Sequence, residues 1–301
     1  MGLFFSSDRF TRPGPGVRPD APRKKGVARL AEIMGRDMWN FFRAGFLAFL
    51  GCLPFIIGMV FAVETHSLLF MLLAGSIGGL IAGPELSAMA DTVLRSLRDE
   101  PGYWWETYRR VWKRNARESL VPGMLTGLVL SMQIFTLFHM SVISAGIVTW
   151  VLLILSFVVT LGLESYIWPQ IALLDLPLYG ILKNSLLLFL GYLPRSLGAI
   201  AIKAVYWGAI LLFFPLTTII LPFTNFWLPM LPALLCIYQP LNKCFTIEST
   251  INKMREDELN AALAKDNEPL PEDPTKRAEE STEASSSDSS SDVQKYIYKT
   301  I

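Results

Sequence analysis

Apolar residues in this chain come in long uncharged blocks, and from residue 36 onward the blocks recur at roughly the 20-residue length that a ~30 Å hydrocarbon core demands of a helix. Between them stand short polar clusters. Val27, Leu30, Met34, Met38 and Phe41 recur at helical spacing with Arg29, Arg36 and Arg43 on another face, which predicts an amphipathic lead-in helix at the membrane surface. It runs into transmembrane helix 1, about Asn40 to Val63, and a tight external turn at Glu64-Thr65-His66-Ser67. Helix 2, about Leu68 to Leu94, carries Gly75, Ser76, Gly78, Gly79, Ala82 and Gly83, small residues that let another backbone approach closely. Gly83-Pro84 predicts a kink.

Between Arg98 and Leu120, Trp104, Tyr108, Val111, Trp112 and Asn115 fall on one helical face, with Arg109, Arg110, Lys113, Arg114 and Arg117 around the other. Aromatic rings favour the headgroup level and basic side chains favour anionic lipid phosphates, so this segment is expected to be an interfacial helix facing lipid rather than nucleic acid. Helices 3 (about 121–141) and 4 (about 145–174) follow, then a short surface helix over 178–190 and helices 5 (about 196–215) and 6 (about 227–245). The uncharged, proline-rich stretch 215–232 forms the outer end of the last hairpin, with a re-entrant path left open.

Charge changes the picture from a list of spans to an orientation. With six crossings, Arg9 to Arg43, Arg95 to Arg117, Lys183 with Arg195, and Lys243 with Lys253 and Arg255 all fall on one side, and the opposite loops carry no Lys or Arg. By the positive-inside rule both termini are expected in the cytoplasm. The sequence-level fold class is therefore all-α: a polytopic membrane helical bundle of about six transmembrane helices plus cytoplasmic interfacial helices. Composition agrees, with 52% hydrophobic residues over 301 and a mean hydropathy of +0.40.

The ends differ from the middle. Residues 1–26, with Pro13-Gly14-Pro15-Gly16 and Arg23-Lys24-Lys25, predict a mobile basic arm without the apolar core of a signal peptide, so the first membrane helix should direct insertion. Residues 27–255 form the transmembrane domain, and residues 256–301 predict a disordered acidic, Ser-rich tail, with Tyr296-Ile297-Tyr298 as either a docking motif or an ordinary terminus. Cys52, Cys236 and Cys244 share no metal or redox spacing and read as small buried side chains.

Several motifs together resemble the YesL-like family of bacterial integral membrane proteins. They are Gly2-Leu3-Phe4, Pro13-Gly14-Pro15-Gly16-Val17, Arg23-Lys24-Lys25-Gly26, Cys52-Leu53-Pro54-Phe55-Ile56, and Gly83-Pro84 followed by Ala88-Met89. Arg98-Asp99-Glu100 leading through Trp104 and Tyr108 to Lys113-Arg114-Asn115 completes the set. The resemblance covers about residues 1 to 250 and implies a multi-helical protein of the bacterial plasma membrane, linked with oligosaccharide uptake by ABC permeases and without an established reaction. No nucleotide-binding motif is present, so ATP hydrolysis would come from a partner.

Ionisable groups inside the bilayer are expensive and are default functional candidates. Lys203 is the deepest; it either snorkels to the headgroups or pairs with Glu85 or Glu164. His139 and His66 read as polar residues apart on the external surface, and no metal or other cofactor is expected. Three function classes remain. The first is an accessory or regulatory protein docking on a sugar permease through small-residue helix faces; the second is a free-standing transporter or channel lined by Glu85, Glu164 and Lys203. The third, an intramembrane enzyme, lacks a nucleophile–base pair and ranks last.

Overall fold

A computed structural model describes residues 23–24, 26–100, 102–142 and 146–266. Most of the basic arm and the tail beyond Asp266, including Tyr296-Ile297-Tyr298, lie outside the described residues. Regular structure among the described residues is helical, without strands. We number the helices α1 (Gly26–Glu64), α2 (Leu68–Leu97), α3 (Trp104–Phe138), α4 (Ile147–Leu173), α5 (Leu178–Gly191), α6 (Leu193–Leu212), α7 (Leu221–Thr224), α8 (Trp227–Phe245) and α9 (Ile247–Asp266). Six helical stretches are long and apolar enough to cross a bilayer, α7 and α8 counting together as one, and the chain is a multi-pass membrane protein.

The two amphipathic stretches are not separate surface helices. The lead-in segment is the first part of α1, 39 residues without a break, and the aromatic-basic segment is the first half of α3, 35 residues. At 1.5 Å per residue these reach about 58 and 52 Å, far beyond a ~30 Å core, so each projects an arginine-bearing end into water. No proline interrupts α1 before Pro54, which is why the amphipathic and apolar parts share one axis.

The main core lies towards this arginine-rich end. It joins Ile33 and Phe41 of α1, Met89 and Leu94 of α2, Ile171 of α4 and Leu231 of α8, all fully buried. A second, smaller cluster of Met59, Ala62, Met71 and Ala74 sits near the opposite end. Between them many large apolar side chains face outward, such as Ile57, Phe61, Ile77, Leu152 and Leu155, as lipid contact requires.

Helices α2 and α3 meet backbone to backbone. A Cβ placed on Gly127 would stand 2.7 Å from the Gly79 Cα, and one on Gly123 would stand 2.9 Å from the Gly83 Cα. Gly75 faces Ser131 in the same seam. The four-residue spacing of Gly75, Gly79 and Gly83 survives a π-helical turn at Ala74–Gly78, which widens α2 where Gly78 meets Phe55 of α1. The small-residue face expected to dock a partner is thus consumed inside the chain.

The α6–α8 hairpin ends in an unexpected place. Phe41 stacks on Trp227 and Phe42 on Phe223, each with centroids 5.9 Å apart, and Gly45 leaves room for Asn225. Gly45 is about 28 Å along α1 from Glu64 at the rise of an α-helix. The hairpin's return strand of chain therefore lies beside the arginine-rich part of α1, not beside the His66 turn.

The far end also departs from the expected tail. Helix α9 continues to Asp266, ten residues past the boundary at 256. Its Glu, Lys, Ala and Leu content favours helix, and Lys253 and Asp257 stand four apart.

Candidate functional site

The densest polar constellation is built on the three residues that follow α2. Asp99 sits in the left-handed region at φ +59°, which turns its carboxylate back across the end of the helix. Arg29 reaches it at 2.6 Å, Arg23 at 3.2 Å, and Arg36 in a short contact. The same arginines bond the orphan carbonyls of the helix end: Arg29 to Leu97 O at 3.1 Å, Arg36 to Ser96 O at 2.8 Å and Arg23 to Arg98 O at 3.2 Å. Cations at a helix C-terminus complement its dipole and satisfy its free acceptors at once.

Glu100 makes the second half of this clasp. Its side chain is 2% exposed and accepts Arg98 at 2.7 Å, with Arg95 at 3.3 Å and Arg255 of α9 at 3.4 Å. Glu248, at the start of α9, accepts Arg23 at 2.7 Å and the Tyr238 hydroxyl at 3.0 Å. The clasp therefore ties the start of α1, the α2–α3 link and α9 into one body. Arg23 is ion-paired in it, although the sequence put this residue in a mobile arm.

Burial alone would raise the Asp99 carboxyl, but hydrogen bonds and charge from Arg36 and Arg29 outweigh it and hold the group below the ordinary carboxylate range. Glu100 is likewise held down, against its burial, by Arg98, Arg95 and Arg255.

The aromatic-basic set divides between two jobs. Arg109 and Lys113 are exposed. Tyr108 is buried and donates to Glu85 at 2.6 Å, and the Trp112 indole donates to the same carboxylate at 2.9 Å. Trp104 is half-buried, 5.3 Å from the Tyr108 ring, and Arg43 of α1 lies 5.6 Å from its centroid. The freely exposed aromatics here are Tyr103 and Trp105, which an i, i+4 count starting at Trp104 passes over.

Deeper in the span, Glu85 does not meet Lys203; Tyr108 and Trp112 occupy it. Glu164 and Lys203 are electrostatic partners without a direct ion pair, and Cys52 lies within range of both Glu85 and Glu164. The result is a run of electrostatic neighbours, Glu85, Cys52, Glu164 and Lys203. Cys52 was legible only as a small apolar residue. Cys52 is buried as expected, whereas Cys244 is exposed, 3.5 Å from the Tyr192 hydroxyl. Other buried polar groups pin helix to helix: Gln133 to Thr160, Gln170 to Ser185 and Tyr166 to Ser196, each at 2.8 Å.

The two histidines, expected apart, are in contact. His66 Nδ1 is 2.7 Å from His139 Nε2, and the rings meet edge-on with centroids 4.9 Å apart. His139 Nδ1 lies 2.8 Å from the Phe135 carbonyl, so it is the protonated nitrogen and Nε2 accepts from His66. Among the described residues no group of three or more His, Cys, Asp or Glu side chains is arranged to hold a metal ion.

No family model, curated protein or solved structure matches the chain.

Proposed function

We propose that this chain is a non-catalytic protein of a bacterial plasma membrane, with both termini cytoplasmic, that serves as an accessory or regulatory component of oligosaccharide uptake by an ABC permease. The observation that carries the choice of helper over carrier is the α2–α3 seam, where backbones touch and leave no path between the helices. The link to sugar uptake rests on the YesL-like motifs, whose segment from Arg98 to Asn115 coincides with the clasp and the exposed basic surface of α3. With the glycine face consumed internally, a permease would meet Arg109, Arg110, Lys113 and Arg117 at the arginine-rich end. Crosslinked co-purification from the native membrane is expected to yield permease subunits, and to lose them when these four residues are changed to Gln. Absence of any permease subunit, with uptake unchanged on deletion, would overturn the helper reading.

A transporter reading is favoured by one observation, the chain of Glu85, Cys52, Glu164 and Lys203. Substrate flux into liposomes holding only this chain, abolished by Glu164→Gln, would support it over the first.

A further inference from the structure

At the arginine-rich end, α1, the end of α2 and the start of α3 enclose a half-open cleft of about 60 Å³, where a single water needs about 10–15 Å³. Its walls include Asp37, Asn40, Ser96, Trp104 and Thr107. Asp37 uses Oδ2 for Arg36 and Ser96, which leaves Oδ1 uncommitted. The Trp104 indole N–H is buried and has no partner. Among the described residues neither the Asn40 carboxamide nor the Thr107 hydroxyl has a side-chain hydrogen-bond partner. Of these groups the Trp104 indole N–H is the buried one, and a buried donor without an acceptor costs about 1–3 kcal/mol, which favours an occupant that accepts from it.

The chemistry of that occupant follows from the free groups. Trp104, Asn40 and Thr107 offer donors, and Asp37, Asn40 and Thr107 offer acceptors, so the cleft suits atoms that both give and take hydrogen bonds. Hydroxyl oxygens do so; an ammonium gives only. The charges of the walls are already compensated, with Arg95 on Asp91 and Glu100, so a bare anion gains little inside. Outside, Arg43 lies over the rings of Trp39 and Trp104, and this arginine and indole mark the boundary between lipid and water.

We propose that the cleft holds the glycerol headgroup of an anionic phospholipid such as phosphatidylglycerol, its terminal diol hydrogen-bonded to Asp37, Asn40, Trp104 and Thr107 and its phosphate beside Arg43. The diol contributes four heavy atoms, which matches the space. This site goes beyond the permease partnership and stands or falls apart from it.

The full chain, reconstituted in nanodiscs with equal parts of phosphatidylglycerol, phosphatidylethanolamine and phosphatidic acid, is washed in detergent and its retained lipid quantified by native mass spectrometry. Phosphatidylglycerol should exceed both others by about tenfold, the size of two ordinary hydrogen bonds. Asn40→Leu and Trp104→Phe should each cut that preference about threefold or more, as loss of one such bond predicts. Arg43→Gln should weaken all anionic lipids alike. Equal retention of phosphatidylglycerol and phosphatidic acid on the unaltered chain overturns the proposal, whether or not a variant folds. A shift of Trp104 emission on adding free glycerol, absent in Trp104→Phe and without lipid preference, overturns the lipid assignment in favour of a soluble polyol.

Discussion

Asp99 and Glu100 release protons more readily in the folded chain than in the unfolded one. Their stabilisation is therefore complete above the unfolded carboxylate values near ~4 and disappears as pH falls through the lower folded values. Thermal unfolding in nanodiscs should show a fall in Tm confined to pH below about 4. Asp99→Asn should lower Tm at neutral pH and flatten that acid limb; an unchanged limb would count against the clasp. Glu100→Gln leaves Arg98 buried beside a neutral group and should cost about 3 kcal/mol. At the other end, nitrogen NMR of labelled histidines should find the proton on Nδ1 of both His66 and His139. A proton on His139 Nε2 would contradict the contact as described.

Little of this residue-scale detail was legible beforehand. The sequence shows Arg29, Arg36 and Asp99 as charges near a surface, but nothing in it says that a left-handed turn at Asp99 gathers all three. His66 and His139 lie 73 positions apart, and only the packing of the α1–α2 turn against the end of α3 joins them. A pairing of Lys203 with Glu85 or Glu164 rests, in the sequence, on depth alone. Depth does not fix the direction in which a side chain points, and Tyr108 was nearer.

Elements were far more legible, because twenty apolar residues in a row have few alternatives to a membrane helix. The glycine spacing of α2 announced close helix contact correctly but left the partner open, and the partner is α3. Gly127→Val should overpack the seam and cost about 1–3 kcal/mol, read as a drop in thermal stability. Gly35→Ala, where an added Cβ meets nothing, should leave stability unchanged or raise it slightly. Comparable losses at both positions would mean the seam is not close-packed. Continuity of α1 and α3 through the interface was missed, since amphipathic periodicity reads the same in a helix lying on a membrane and in one leaving it.

The whole molecule is asymmetric across its long axis. Tyr206 bonds Thr224 at 2.9 Å and Trp207 packs on Phe226, so α6 meets the returning chain at the segment that packs beside Gly45 of α1. From Ala204 to Asn242 there is no charged residue, so the hairpin tip can rest in hydrocarbon. In a variant without native cysteines, Thr65→Cys should react with an impermeant maleimide from one side, and Phe214→Cys from neither. Rapid labelling of position 214 beside position 65 would place the hairpin tip in water.

Arg23 and Glu248 are 225 positions apart, yet they touch. Arg29 and Arg36 reach Asp99 from α1, next to it in the helix order, whereas Glu248 and Arg255 belong to α9 and join the clasp from the far end of the described chain. Detaching α9 would thus leave Arg23 without Glu248 and Glu100 without Arg255, a chemical mark that separates chains with α9 docked from chains without it.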